Sequence, residues 1–263
     1  MSGRRQLAFL HEMGIGPIWV RRAPGAGTSE SGISALQDGE AVVTRGPVND
    51  DAEIADCQRA PDVTPAIEDV ASMDWEQLKA TVAPCTRCGL CQTRTQAVFG
   101  VGDPQAKWLF VGEGPGRNED AQGQPFVGPA GKLLDNMMVA MGLARGHDTY
   151  IANVVKCRPI DDNRRDRAPQ PEEANACMPY LARQIALINP QVIVALGKTA
   201  ALSLLQLDAA TPVGKLRGIV HRYADRPLIV TYHPAYLLRT PADKGKVWAD
   251  LCLAMQTYHA AGE

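Results

Sequence analysis

Four kinds of side chain in this sequence have chemistry beyond packing: thiols at ligand spacing, carboxylates in a glycine-rich loop, an amide in an apolar run, and an imidazole before a proline. Cys85 and Cys88 form a C-x-x-C in the loop-like stretch PCTRCGLCQTR, and Cys91 repeats the spacing. Cys157 follows an apolar run in VVKCRP, and Cys177 lies in the helical stretch EEANACMPYL. A close pair plus two distant cysteines can close a tetrahedral thiolate site. Thiolates suit zinc or an iron–sulfur cluster, and spacing does not separate the two; ordinary buried thiols are the third reading. Cys57, in a polar stretch, and Cys252, on an apolar helical face, read as non-ligands.

The second constellation is the stretch Trp108 to Leu134, WLFVGEGPGRNEDAQGQPFVGPAGKLL. An apolar run ending in Gly and Pro brings backbone close to a ligand, because glycine turns sharply and leaves room. Gly112-x-Gly114 matches the start of a dinucleotide fingerprint, but Glu119 and Asp120 follow where a pyrophosphate needs a helix N-terminus. Gly131-Lys132 matches the end of a Walker A loop, yet Phe126 stands at its first glycine and Leu133 at its Ser/Thr. Both phosphate readings fail. What remains is a loop offering backbone N–H groups, Glu113, Glu119 and Phe126. Asn153 interrupts the apolar run YIANVV, and His233 opens HPAYLLR just past another run. Carboxylate, amide, imidazole and aromatic ring at strand ends of one sheet can bind and cleave a planar polar ring. The bland alternatives are a satisfied core histidine, core packing for Phe126, and a turn residue at 153.

Those groups need a scaffold that gathers strand ends. Apolar runs at 108–111, 150–155, 192–196 and 228–231 alternate with helical patterns at 130–143, 171–188, 198–206 and 243–259. Short continuous Val/Ile/Leu runs between helices predict a parallel sheet covered on both faces. The expected fold is α/β, a three-layer α/β/α sandwich around a mainly parallel four-stranded sheet. The segment GIVHRYADRPLIVT can add a hairpin. The catalytic domain is expected over 73–263, opening with a helix in DWEQLKATVAPC.

Residues 1–22 form a short amphipathic peptide, and 23–72 read as a flexible acidic linker, a disordered N-terminal extension. Net charge is −2, but the sum hides a division. Residues 1–75 carry 6 Lys and Arg against 12 Asp and Glu, giving −6, whereas 76–263 carry 21 against 17, giving +4. The total therefore says little about partners. No run of 18 apolar residues suggests a membrane span, and the N-terminus lacks the continuous apolar core of a signal peptide. A cytoplasmic monomer is expected, in which seven cysteines do not form structural disulfides.

TRTQAVFGVGDP, VGEGPGRNEDAQGQPFVGPAGKLL, YIANVVKCRP, VIVALGKTAA and YHPAYLLR occur in that order. On these motifs, residues 80–255 resemble the family 4 uracil-DNA glycosylases, the iron–sulfur-containing bacterial and archaeal branch. The resemblance implies a [4Fe–4S] cluster on Cys85, Cys88, Cys157 and Cys177, with Cys91 outside the ligand set. It implies uracil-containing DNA, single- and double-stranded, as substrate. Phe126 would stack on a flipped uracil, Asn153 would read its edge, and backbone around Gly112, Glu113 and Gly114 would meet the base. His233 would hydrogen-bond O2 of the leaving anion. Glu113 could position the water, for Gly114 stands where classical members have Asp; Glu119 would help exclude thymine's methyl. Leu237 would enter the duplex as a wedge, with Arg239 on a phosphate. The segment 158–176 is longer than the family leads one to expect, and its NRRDR run would suit phosphates. A related covalent-binding branch has Gln at 114 and a Lys-Arg-Arg-Ile-His loop, and neither is present. Turnover is therefore expected, against two rivals: a non-catalytic damage-sensing module, and a glycosylase for another deaminated base. Residues 1–22 resemble the N-terminal peptide of the psi subunit of bacterial clamp loaders, implying a replication partner.

Overall fold

A computed structural model describes residues 67–261. The peptide 1–22, nearly all of the expected linker and Cys57 lie outside the described residues. A short helix, α1 (Ile67–Ser72), precedes the expected start at Met73 and buries Val70 against a later helix. Helix α2 (Trp75–Val82) follows, opened by a capping box. The Gln77 amide donates to Asp74 Oδ1 at 2.9 Å, and the Asp74 amide donates to Gln77 Oε1 at 3.0 Å.

The strands are β1 (Val101–Gly102), β2 (Trp108–Gly112), β3 (Thr149–Asn153), β4 (Val192–Leu196), β5 (Val220–Tyr223) and β6 (Arg226–Thr231). They form one sheet in the order β1-β3-β2-β4-β6-β5. The four inner strands are parallel, as expected, but the sheet has six strands rather than four. Both additions are antiparallel edges. β5 is the near half of the anticipated hairpin, turned through Ala224 and Asp225 at φ 44° and 64°. β1 is two residues long, too short to show a period. Its Gly102 has φ 133°, and a Cβ there would lie 2.2 Å from the Thr149 carbonyl oxygen, so glycine alone allows the pairing.

The helices are α3 (Arg117–Gln122), α4 (Pro129–Met141), α5 (Pro171–Ile188), α6 (Lys198–Leu205), α7 (Val213–Leu216), α8 (Pro234–Arg239) and α9 (Lys244–Ala261). Side-chain alternation splits β2 between two cores. Leu109 and Val111 join a core with residues of α2, α5 and α6; Trp108 and Phe110 join one with residues of α4 and α9. All five residues of β2 are buried, which is why the run is continuously apolar. Among the described residues, no helix is long and apolar enough to cross a membrane.

The parallel registers place Gly112 beside Asn153 and Leu196 beside Thr231. Four strand ends therefore meet at one edge, where ligands bind in open α/β sheets.

Candidate active site

At that edge lies a cavity of about 310 Å³, lined by Gly114, Glu119, Phe126, Asn153, Asp166 and His233 among others. Gly112 permits its innermost part. A Cβ at 112 would fall 2.5 Å from Asn153 Oδ1 and 2.6 Å from Phe126 Cζ, so both side chains occupy room that any other residue would take. Asn153 Oδ1 is buried and accepts no hydrogen bond from the protein. An orphaned buried acceptor is costly, and a ligand donor would relieve it.

Phe126 is held under constraint. Its φ is 56°, a region a bulky residue rarely adopts, and the residue is 6% exposed. Arg145 donates from Nη1 to the Pro125 carbonyl at 3.2 Å and from Nη2 to the Phe126 carbonyl at 2.9 Å. The amides on the other side of the same turn, Val127 and Gly128, donate to Glu119 Oε1 at 2.9 and 3.0 Å. The Gly116 amide donates to Oε2 of the same carboxylate at 3.2 Å. Glu119 borders the cavity, but its oxygens organise the loop.

His233 caps α8 and faces Phe126, ring centroids 5.5 Å apart and planes inclined by 29°. The Ala235 amide donates to its Nδ1 at 3.1 Å, so the neutral ring carries its proton on Nε2. Burial pushes the imidazole down to about 4; the charge of Arg239 adds to this and that of Glu119 opposes it. The ring is thus a neutral donor near pH 7. Gly197, at φ 92°, lets the end of β4 approach it: a Cβ there would sit 3.0 Å from His233 Cβ.

Glu113 is next in the chain to the lining residue Gly114 but is not itself in the lining. Its carboxylate accepts a hydrogen bond from the Thr199 hydroxyl on α6. Burial raises the carboxyl above its ordinary range, and the Thr199 bond opposes the rise. Gly114 packs on Val155, whose Cγ2 would lie 2.7 Å from an added Cβ.

Leu237, expected to enter the duplex as a wedge, is instead a core residue. It is 0% exposed and packs in the core with residues of α4 and α9, because one turn of α8 points it inward. Its neighbour Leu238 is 48% exposed, and Arg239 is exposed beside it.

A second cavity is lined by Cys85, Cys88, Cys157 and Cys177, and Cys91 is not part of its lining. Donors reach all four sulfurs, the Leu90 backbone amide serving Cys88. Arg94 Nη1 donates to Cys157 at 2.9 Å, the Tyr180 hydroxyl to Cys85 at 3.3 Å, and the Lys156 amide to Cys177 at 3.3 Å. Burial pushes Cys157 up to about 11 and Cys177 up to about 12, and raises Cys88. Among the described residues, no three His, Cys, Asp or Glu side chains are arranged to hold a single metal ion. Lys156 joins the two cavities. The residue is 1% exposed, and its ammonium donates to the Asn153 carbonyl at 2.8 Å and to Gln184 Oε1 at 2.6 Å. Burial pushes it down to about 8, opposed by Cys177 and Cys157.

Sequence reasoning missed Thr199, Gly197, Lys156 and Arg145, each of which acts through a contact distant along the chain. It also missed Asp166 on the cavity wall. In the NRRDR run, Arg167 pairs with Glu173 at 2.6 Å, Arg158 just before it pairs with Asp166 at 2.6 Å, and Arg164 and Arg165 are exposed.

The family model described as the uracil DNA glycosylase superfamily matches residues 99–252. The chain is 40% identical over 187 residues to a type-4 uracil-DNA glycosylase of Pyrobaculum aerophilum, covering 69% of this chain and 93% of the relative. It is 46% identical over 167 residues to the type-4 enzyme of Archaeoglobus fulgidus, covering 61% and 81%. It is 44% identical over 170 residues to that of Thermotoga maritima, covering 64% and 85%.

The placement of the paired leucines has a direct consequence. Leu237→Ala should cost about 2–5 kcal/mol of stability by leaving a core cavity, and Leu238→Ala within about 0.5 kcal/mol of nothing. Equilibrium denaturation of the two variants reads the difference.

Proposed function

The chain belongs to the uracil-DNA glycosylase superfamily, in its family 4 branch, and is a uracil-DNA glycosylase, a hydrolase of base excision repair; from there we propose how its residues divide the work. The single observation that carries the reading is the buried Asn153 Oδ1 without a protein partner, set in a cavity walled by Phe126 and His233. Uracil N3–H would donate to that oxygen, and the Asn153 amide would donate to O4. Cytosine presents the opposite pattern at those positions, so the same amide would reject it. Phe126 would stack on the flipped ring, and Glu119 and the loop it organises would leave no space for thymine's methyl.

Cleavage breaks the C1′–N1 bond. The bonding pair leaves with uracil as its anion, water adds to the oxocarbenium-like sugar, and the proton that water sheds ends on the departed uracil. His233 Nε2–H would donate to O2 as negative charge develops there. A neutral donor fits this task, since its proton stays on the imidazole. Glu113, raised by burial and held by Thr199, would position the water as a carboxylate. Backbone at Gly112 and Gly114 would border the base. Leu238 takes the wedge role expected of Leu237, with Arg239 on a phosphate.

Cys85, Cys88, Cys157 and Cys177 would hold a [4Fe–4S] cluster. The fit rests on four thiols around one cavity, with an N–H or O–H donor reaching each sulfur, as cluster thiolates need. Bound there, the cluster would cross-link α2's exit, the segment after β3, and α5. A cytoplasmic location, a monomeric state and docking of residues 1–22 on clamp-loader machinery belong to the same proposal. Sedimentation reads the monomer, and a pull-down with residues 1–22 deleted reads the docking.

Uracil release from single- and double-stranded oligonucleotides tests the assignments. His233→Ala and Asn153→Ala should each lose about 10²–10³-fold in rate while remaining folded. Leu238→Ala should lose more on duplex than on single strands. A double variant of His233 and Asn153 that released uracil at the wild-type rate would sink the site. Binding without release would favour the damage-sensing module, and release of another deaminated base over uracil would reassign the specificity.

The acid side of the pH profile should belong to Glu113. Its raised pKa means that protonation begins above the ordinary carboxylate range, so excision falls as pH drops through that value, and Glu113→Gln should abolish the limb. His233 adds a stability effect. The unfolded ring binds its proton near 6.5 and the folded ring near 4, so stability should decline as pH falls across that window. Denaturation midpoints from pH 7 to 4, compared with His233→Ala, read it. For the cluster, purified protein should be brown with a broad band near about 400 nm, and a colourless zinc-bearing protein would exclude iron.

A further inference from the structure

Arg145 lies outside the base cavity, in the loop between α4 and β3, yet both of its terminal guanidinium nitrogens bond the backbone that carries the cavity-lining Phe126 ring. The loop itself is tied down. The Gly146 amide donates to Thr149 Oγ1 at 3.1 Å, and that hydroxyl donates to the Ala144 carbonyl at 2.8 Å. From this base, Nε donates to Asp135 Oδ1 on α4 at 2.8 Å, which fixes the plane of the guanidinium. Its two terminal nitrogens then reach two successive carbonyls, those of Pro125 and Phe126.

That pair of carbonyls flanks the left-handed residue, Phe126. A bulky side chain at φ 56° persists only where its surroundings over-determine it. Here three contacts do so. Arg145 holds the carbonyl side of the turn, and Glu119 holds the amide side. The Phe126 carbonyl also lies where a Cβ of residue 131 would be, 1.8 Å away, so Gly131 alone admits it. Released from this turn, the backbone would relax towards negative φ and carry the ring away from Gly112 and His233.

We propose that Arg145, oriented by Asp135, is the positioning residue that sets the Phe126 ring as the stacking platform for the flipped base. The proposal rests on the reading that Phe126 stacks on uracil. A guanidinium is required because its planar fork spans two carbonyls at once; a lysine would supply charge but one point of attachment.

The experiment measures the inhibition constant of free uracil against excision from a single-stranded oligonucleotide, together with KM and kcat. Free uracil occupies the base site without the rest of the DNA. Loss of two carbonyl bonds in Arg145→Ala should weaken free uracil and raise KM about tenfold, with kcat changed about threefold or less. Arg145→Lys should not rescue it. Affinity for a uracil-free oligonucleotide should stay at wild type. Phe126→Ala is the reference: in its background, adding Arg145→Ala should cause no further loss of uracil binding, since the platform is already gone. If Arg145→Ala does not fold, Asp135→Asn serves in its place and should weaken free uracil severalfold in the same direction. Weaker uracil in Phe126→Ala but wild-type binding in both Arg145 variants overturns the proposal and leaves stacking intact. Wild-type uracil binding in Phe126→Ala overturns the stacking reading itself. Full additivity of Arg145→Ala and Phe126→Ala also overturns the proposal, because it would show that Arg145 acts elsewhere.

Discussion

The absence of one side chain at the end of β2 is the constraint on which the site depends. Parallel pairing sets Gly112 beside Asn153, and both Asn153 Oδ1 and the Phe126 ring edge enter the space a Cβ would fill. A methyl there would displace the amide, the ring or the register. Displacing the register would move five paired residues of β3, all of them buried. The Asn153 amide and the Phe126 ring are thereby set against the same glycine. Their separation follows from van der Waals contact, with no need for a long hydrogen-bond chain.

The carboxylates of the glycine-rich loop are engaged with the protein itself, on the loop or on neighbouring segments. Glu119 gathers three amides. Asp120, buried, accepts from the Thr95 amide at 2.9 Å and binds the segment after the cysteine pair to the base of α3. A loop rich in glycine has many conformations to lose on folding, and carboxylates that each accept several amides select one of them. The same arrangement explains why the loop is unsuited to phosphate: the amides that would cradle an anion are already bonded to one. Arg145 completes the balance from the opposite side, so cation and anion grip one turn through its carbonyls and its amides.

The thiol cavity and the base cavity are neighbours through the chain segment 153–157. Asn153 is the last residue of β3 and Cys157 lines the thiols. Between them, Lys156 sends its ammonium back to the Asn153 carbonyl and its amide to Cys177. A buried ammonium is tolerated where it is hydrogen-bonded, and Gln184 supplies the second acceptor while donating in turn to the Phe99 carbonyl at 2.9 Å. One buried lysine thus ties the last residue of β3 to a thiol of the second cavity.

Much of this was legible along the chain. The four inner strands and the long helices carried the uninterrupted apolar runs and the helical period that burial on two faces demands, and Asn153 and His233 stood out as polar residues at strand ends. The edge strand Val101–Gly102 was not legible, because two residues carry no period and its pairing depends on a clash that only the fold reveals. Leu237 and Leu238 were indistinguishable by type; a helical turn of about 100° per residue sends one into the core and the other to the surface. Thr199, Gly197, Lys156 and Arg145 left no local sign, since each acts on a residue from another part of the chain. The sequence by itself determined which groups could do chemistry and which segments would carry them, because residue type and hydrophobic period are local properties. Tertiary structure decided which carboxylates serve the loop, which leucine faces outward, and what holds Phe126 in its strained turn, because those depend on distances between residues that meet only after the sheet has formed.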